Sequence, residues 1–139
     1  MRKVRFIVLH CTATAQSARI ESIQRYWKEK LGWKAPGYHW IIEANGAAVR
    51  LNDDEKISNG VAGWNRASIH ISYIGGVDEN GRPVDNRTPA QKQMMRQLVK
   101  SYMLKYPDAE VKGHRDFPKV NKACPSFDVK KWLIIEGLN

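Results

Sequence analysis

The chain has 139 residues, of which 42% are apolar and 27% charged, the balance of one soluble globular domain whose core closes without covalent staples. No apolar run approaches the roughly 20 residues needed to span a bilayer, and two cysteines do not make a disulfide framework. The formal net charge of +9 is spread along the chain rather than gathered in a tail. It suits solubility, or a polyanionic partner such as nucleic acid or a cell wall rich in carboxylates and phosphates, and no nucleic-acid-binding motif accompanies it.

The basic start Met1-Arg2-Lys3 precedes an apolar run too short for a signal-peptide core, so synthesis in the cytoplasm without an export signal is expected. Residues 4–10 are apolar and β-branched and predict a buried strand that ends at His10. Taken alone, such a histidine is ordinarily a hydrogen-bonded core residue, although the end of a buried strand is also where sites are built. Ser17 is placed to cap a helix over residues 18–31, with Ile20, Ile23, Trp27 and Leu31 on one apolar face and Gly32 as its stop. Residues 38–43 predict a strand, Asn45-Gly46 a hairpin turn and residues 47–51 the return strand. Strand alternation sends Tyr38 and His39 to opposite faces. Tyr38 then either offers its hydroxyl to a cleft or lies on the sheet surface.

Residues 52–66 form a long connection in which Trp64 and Asn65 either line a groove or simply pack. Residues 69–74 predict another strand, where His70 reads more readily as satisfying an edge than as facing a site. Asn80-Gly81 marks a second turn. Thr88, Pro89 and Gln91 give three signals for a helix start, and Met94, Met95, Leu98, Val99 and Tyr102 carry its apolar stripe to about residue 106. Val111 sits in a short last strand, and Asp128 can cap a final helix that stops at Gly137. The alternation predicts an α/β fold: a single domain over residues 1–139 with a central mixed β-sheet flanked by helices.

The run from Gly113 to Phe127 contains Gly113, Pro118 and Pro125 and reads as a loop. It carries His114, Lys122 and Cys124, two good zinc donors and a mobile cation. A catalytic zinc usually takes three protein ligands and leaves a place for water, and His10 is the candidate third. Cys11 and Cys124 could pair, but each sits near a histidine, so metal binding or reactivity is the better reading.

Six pieces occur in order: I-V-L-H-C-T-A-T at 7–14, G-Y-H-W-I-I at 37–42, N-R-A-S-I at 65–69 with Gly75-Gly76, T-P-A-Q at 88–91, G-H-R-D at 113–116 and K-A-C-P-S-F-D at 122–128. With them the chain resembles the zinc-dependent type 2 N-acetylmuramoyl-L-alanine amidases, whose fold is that of the peptidoglycan recognition proteins. The phage lysozyme-like branch is the nearest. The resemblance implies one Zn2+ per chain held by His10, His114 and Cys124, with Tyr38 and Lys122 as catalytic side chains. It implies hydrolysis of the amide between N-acetylmuramic acid and the first L-alanine of the stem peptide.

The expected partner is peptidoglycan or a muropeptide, with no nucleic acid and no membrane, and the protein is expected to be a monomeric phage or prophage endolysin acting on the wall after release. Trp64, Asn65 and His70 are the candidate substrate contacts. Asp116 is expected to fix its loop and Arg115 to pair with a carboxylate. Two departures stand out: Gly60 lies where many relatives carry histidine, and Ser68-Ile69-His70 stands where they read S-I-G.

Three other readings compete. A non-catalytic peptidoglycan-binding module would typically have lost the cysteine ligand. A thiol hydrolase would use Cys124 as nucleophile with His114 or His10 as base. A basic nucleic-acid binder would leave the His and Cys set unexplained.

Overall fold

The structure, a computed structural model, describes residues 2–139. Its centre is strand β1 (Phe6–Cys11), every residue of which is buried. It pairs in parallel with β4 (Ser68–Tyr73) on one side and with β5 (Glu110–Gly113) on the other. Strand β2 (Trp40–Ile42) lies parallel to β4, and β3 (Ala48–Arg50) returns antiparallel to β2, giving the order β3-β2-β4-β1-β5. The predicted mixed sheet with flanking helices is therefore observed. Central parallel strands are covered on both faces, which is why β1 reads as a nearly continuous apolar run.

The period of two divides the sheet into two faces. Ile7, Leu9, Ile69, Ile71 and Ile42 point to one side, where they pack with Met95, Val99 and Tyr102 of helix α2 (Pro89–Lys105) and with Val129 and Trp132 of helix α3 (Val129–Ile135). Phe6 and Val8 point to the other side, against Val61 and Phe117. His10 and His70 share that second parity, and the register pairs Val8 with His70. The site face is thus the one that α2 and α3 leave uncovered.

Local signals account for most boundaries. Thr88 Oγ1 accepts from Gln91 N at 3.0 Å while Thr88 N donates to Gln91 Oε1 at 3.0 Å, the reciprocal cap expected from the sequence. Gln91 is also fully buried, and its amide donates to the carbonyls of Ile42 and Ile74, closing the ends of β2 and β4. Asp128 caps α3 by accepting from Lys131 N at 3.1 Å. The Asn45-Gly46 turn joins β2 to β3, with Gly46 at φ 90°.

The first helix departs from expectation. Helix α1 is only Ile20–Arg25, its N-cap is Arg19 without a side-chain bond, and the chain continues as a π-helical turn over Tyr26–Lys30. Ser17 does not cap it. The wider turn shifts the angular register, so Ile23 and Trp27 stay buried but Leu31 does not follow them and is 42% exposed. The strand expected from residue 38 begins at Trp40. Among the described residues no helix is long and apolar enough to cross a membrane.

Candidate metal centre and its cleft

His10 lies one residue from the C-terminal end of β1 and is 1% exposed. His114 opens a 3₁₀ turn, His114–Asp116, directly after β5, the strand beside β1. Asp116 closes that turn by accepting from Gly113 N at 2.9 Å, as expected. A side chain at Gly113 would come within 2.9 Å of Pro125 Cδ, so the tight approach of β5 to the Cys124 loop requires glycine there. The loop is tied back where Arg115 N donates to Cys124 O at 2.9 Å. Arg115 itself is exposed and makes no ion pair among the described residues, contrary to the carboxylate partner expected for it. Strand pairing thus delivers His10 and His114, and this backbone bond delivers Cys124.

One donor atom from each of His10, His114 and Cys124 lies within 4.8 Å of the other two. Cys124 Sγ stands 3.8 Å from His10 Nδ1. In a tetrahedral zinc site with ordinary Zn–N and Zn–S bonds that separation is about 3.6 Å. Burial, with His70, His114 and Lys122 nearby, holds His10 well below the ordinary imidazole range, and burial and Lys122 push His114 down to about 4. Both imidazoles are therefore neutral at pH 7, as ligation requires. The neighbouring Cys11 thiol and burial raise the Cys124 thiol well above its usual range, so a thiolate there calls for a cation. Cys11 N also donates to Cys124 Sγ at 3.2 Å. Two neutral imidazoles and a thiol at this spacing fit a tetrahedral divalent ion with one position open.

Tyr38 reaches the same place from the segment before β2. Its ring centroid is 5.0 Å from that of His10, and its hydroxyl donates to Cys11 O at 3.3 Å. Burial, with the cysteines nearby, raises its pKa far above the ordinary phenol value, so it stays protonated. His39 points elsewhere, accepting from His70 N at 3.0 Å, which bears out the opposite-face reading. Lys122 is exposed at the rim.

Two adjoining clefts meet at these residues. One, of about 800 Å³, runs from His10, His114 and Cys124 along Tyr38, Trp27 and Leu31. The other, of about 770 Å³, is lined by Trp64, Asn65, Val120 and Asn121. Trp33, Gly60, His114 and Lys122 border both. Trp64 meets both of its sequence readings, since it lines the second cleft and also packs edge-on against Phe6 at 5.6 Å.

His70 corrects its sequence reading twice. It is on a central strand, not an edge, and it is 0% exposed, so it cannot touch a bound substrate. Its Nδ1 instead stands 2.8 Å from His10 Nε2, and its Nε2 stands 2.9 Å from Asn65 Oδ1. Asn65 borders the second cleft but spends its carbonyl oxygen inward, on His70 and on Val61 N. Cys11 and Cys124 are unpaired, and Cys11, read from the sequence as metal-binding or reactive, is not among the grouped donors; its N–H instead meets Cys124 and its carbonyl meets Tyr38, backbone contacts that no side-chain pattern marks.

Comparison with known proteins places these features in a family. A family profile described as N-acetylmuramoyl-L-alanine amidase matches residues 1–127. The endolysin of Klebsiella phage KP32 is 36% identical over 127 residues, covering 91% of this chain and 83% of that one. The endolysin of Escherichia phage T7 is 37% identical over 128 residues, with the same coverage of each chain. Among solved structures, the N-acetylmuramoyl-L-alanine amidase LysC from Clostridium intestinale superposes with a TM-score of 0.82 at 23% identity, covering 99% of this chain and 88% of that one, a likeness of fold.

Proposed function

The chain belongs to the N-acetylmuramoyl-L-alanine amidase family, and from that premise we propose that it is a zinc-dependent endolysin. Its reaction is hydrolysis of the amide joining the lactyl group of N-acetylmuramic acid to the first L-alanine of the stem peptide. The observation that carries this reading is the convergence of His10, His114 and Cys124 donor atoms within 4.8 Å of one another where two clefts join.

A zinc ion held there supplies Lewis-acid chemistry, making water acidic enough to attack at neutral pH and polarising the amide carbonyl. The chain's own residues do the rest. Lys122 brings a positive charge to the rim where the carbonyl oxygen becomes an oxyanion. Tyr38 keeps its proton and holds a hydrogen-bond donor beside His10. Trp27, Leu31 and Trp33 give one cleft an apolar wall for the uncharged parts of a muropeptide. The net charge of +9 favours approach to an anionic wall polymer.

Incubating the purified protein with cell-wall sacculi, with and without a chelator, tests the reading. Released stem peptides with a free N-terminal alanine, abolished by chelator and restored by zinc, are the expected result. The contact of Cys124 with His10 would also serve a thiol hydrolase. That alternative predicts activity that survives chelator and is lost to alkylation.

A further inference from the structure

The hydrogen bonds behind His10 form a chain whose direction can be worked out from one end. Val61 N lies 2.7 Å from Asn65 Oδ1, and a backbone N–H can only donate, so that side-chain atom is the amide oxygen. The same oxygen lies 2.9 Å from His70 Nε2, which must therefore carry a hydrogen. An imidazole that donates through Nε2 accepts through the other ring nitrogen, so His70 Nδ1 is the acceptor of its pair with His10. The atom that donates to it, at 2.8 Å, is His10 Nε2. A neutral His10 with hydrogen on Nε2 has its lone pair on Nδ1, the atom that faces Cys124 Sγ.

We infer that His70 and Asn65 are positioning residues that lock His10 into the Nε2–H tautomer and aim its Nδ1 lone pair at the metal. The inference rests on His10 being a ligand, as in the proposed function. A ligating imidazole usually donates its other N–H to a carboxylate, a carbonyl or water, and loss of such a partner typically costs about 10- to 100-fold in metal affinity or activity. Here the acceptor is a second buried imidazole, itself oriented by an asparagine whose oxygen is fixed by a backbone N–H. Without that chain His10 could equally hold its hydrogen on Nδ1, and the ligand position would be blocked.

Two measurements test this, neither of which needs substrate. Long-range 15N–1H correlation spectra of the metal-free wild-type protein distinguish protonated from bare ring nitrogens. Hydrogen on Nε2 and none on Nδ1 is expected for both His10 and His70, and hydrogen on His10 Nδ1 would overturn the inference in a protein that needs no mutation to fold. The second measurement is zinc affinity by competition with a chromophoric chelator. His70→Phe keeps a ring in place but removes the acceptor, and should bind zinc about 10- to 100-fold more weakly. His70→Gln can accept through its amide oxygen and should recover most of the loss. Wild-type affinity in His70→Phe would sink the positioning role while leaving the ligand set intact. A wild-type protein that takes up no zinc would instead remove the proposed function, and this inference with it.

Discussion

Gly60 and His70 share one volume: a Cβ built on Gly60 would stand 2.3 Å from His70 Nδ1 and 2.5 Å from its Cγ. The two positions singled out in the sequence, Gly60 and His70, are therefore coupled through space. His70 is the third residue of β4, and the bare backbone of Gly60 lies against its ring.

Gly60→Ala should consequently push the His70 ring off His10. An overpacked core site typically costs about 1–3 kcal/mol, so the thermal midpoint should fall, and zinc affinity should fall with it although no polar group has been touched. The paired exchange Gly60→His with His70→Gly moves the imidazole from the strand to the loop. It should be more stable than the sum of its two single variants predicts, because each single change leaves either a clash or a void. Strict additivity in a denaturation double-mutant cycle would show that the two positions do not share the space.

Cys124→Ser replaces a thiolate by a weak neutral donor in the triad with His10 and His114. It should lose most bound zinc and nearly all activity on sacculi, measured by metal analysis and peptide release in the same preparation. Full activity in that variant would refute the ligand assignment.

Lys122→Ala should behave differently, because Lys122 lies at the exposed rim and is not among the ligands. Zinc content should be unchanged, and turnover should fall about 100- to 1000-fold, the loss typical of removing one oxyanion-stabilising donor. Lost metal with normal turnover per bound zinc would mean that its role is structural.

Acid should destabilise the metal-free protein through His39, which is 0% exposed and accepts from His70 N. Burial lowers its pKa to about 4 from the model-peptide value of 6.5. Between those two values the unfolded chain binds the proton and the folded chain does not, so the stability His39 contributes is full above pH 6.5 and is lost as pH falls towards 4. The contribution is at most about 3 kcal/mol. In thermal melts with chelator present, the midpoint should drop across that window, and His39→Gln should flatten the drop. An unchanged slope in the variant would assign the acid sensitivity to the other buried histidines.

Much of this was legible locally. The reciprocal cap of Thr88 and Gln91, the Asp128 cap, the Asn45-Gly46 turn and the buried run of β1 each depend on residues within three or four positions of one another, and each is found where the local pattern placed it. The grouped donors were legible for another reason: His10, His114 and Cys124 sit inside the short motifs on which the family resemblance rests, and the motifs stood in for contacts that the chain order hides. The π-helical turn at Tyr26–Lys30 was not legible, because apolar spacing suited to an ordinary helix does not say that Leu31 will slip out of its face into the cleft.

What the sequence by itself determined was the inventory and the scaffold: an α/β sheet domain, three donors of the right kind for zinc, a tyrosine and a lysine near them. What only the tertiary structure decided was the work of His70. Its strand register beside Val8, the bare backbone of Gly60 against its ring and the inward turn of Asn65 set it behind His10, buried and bonded to it, rather than on the cleft surface. Those relations join positions 10, 60, 65 and 70 across two strands and a loop, and a hydrogen bond or a filled volume between distant residues leaves no period, cap or turn in the order of the amino acids.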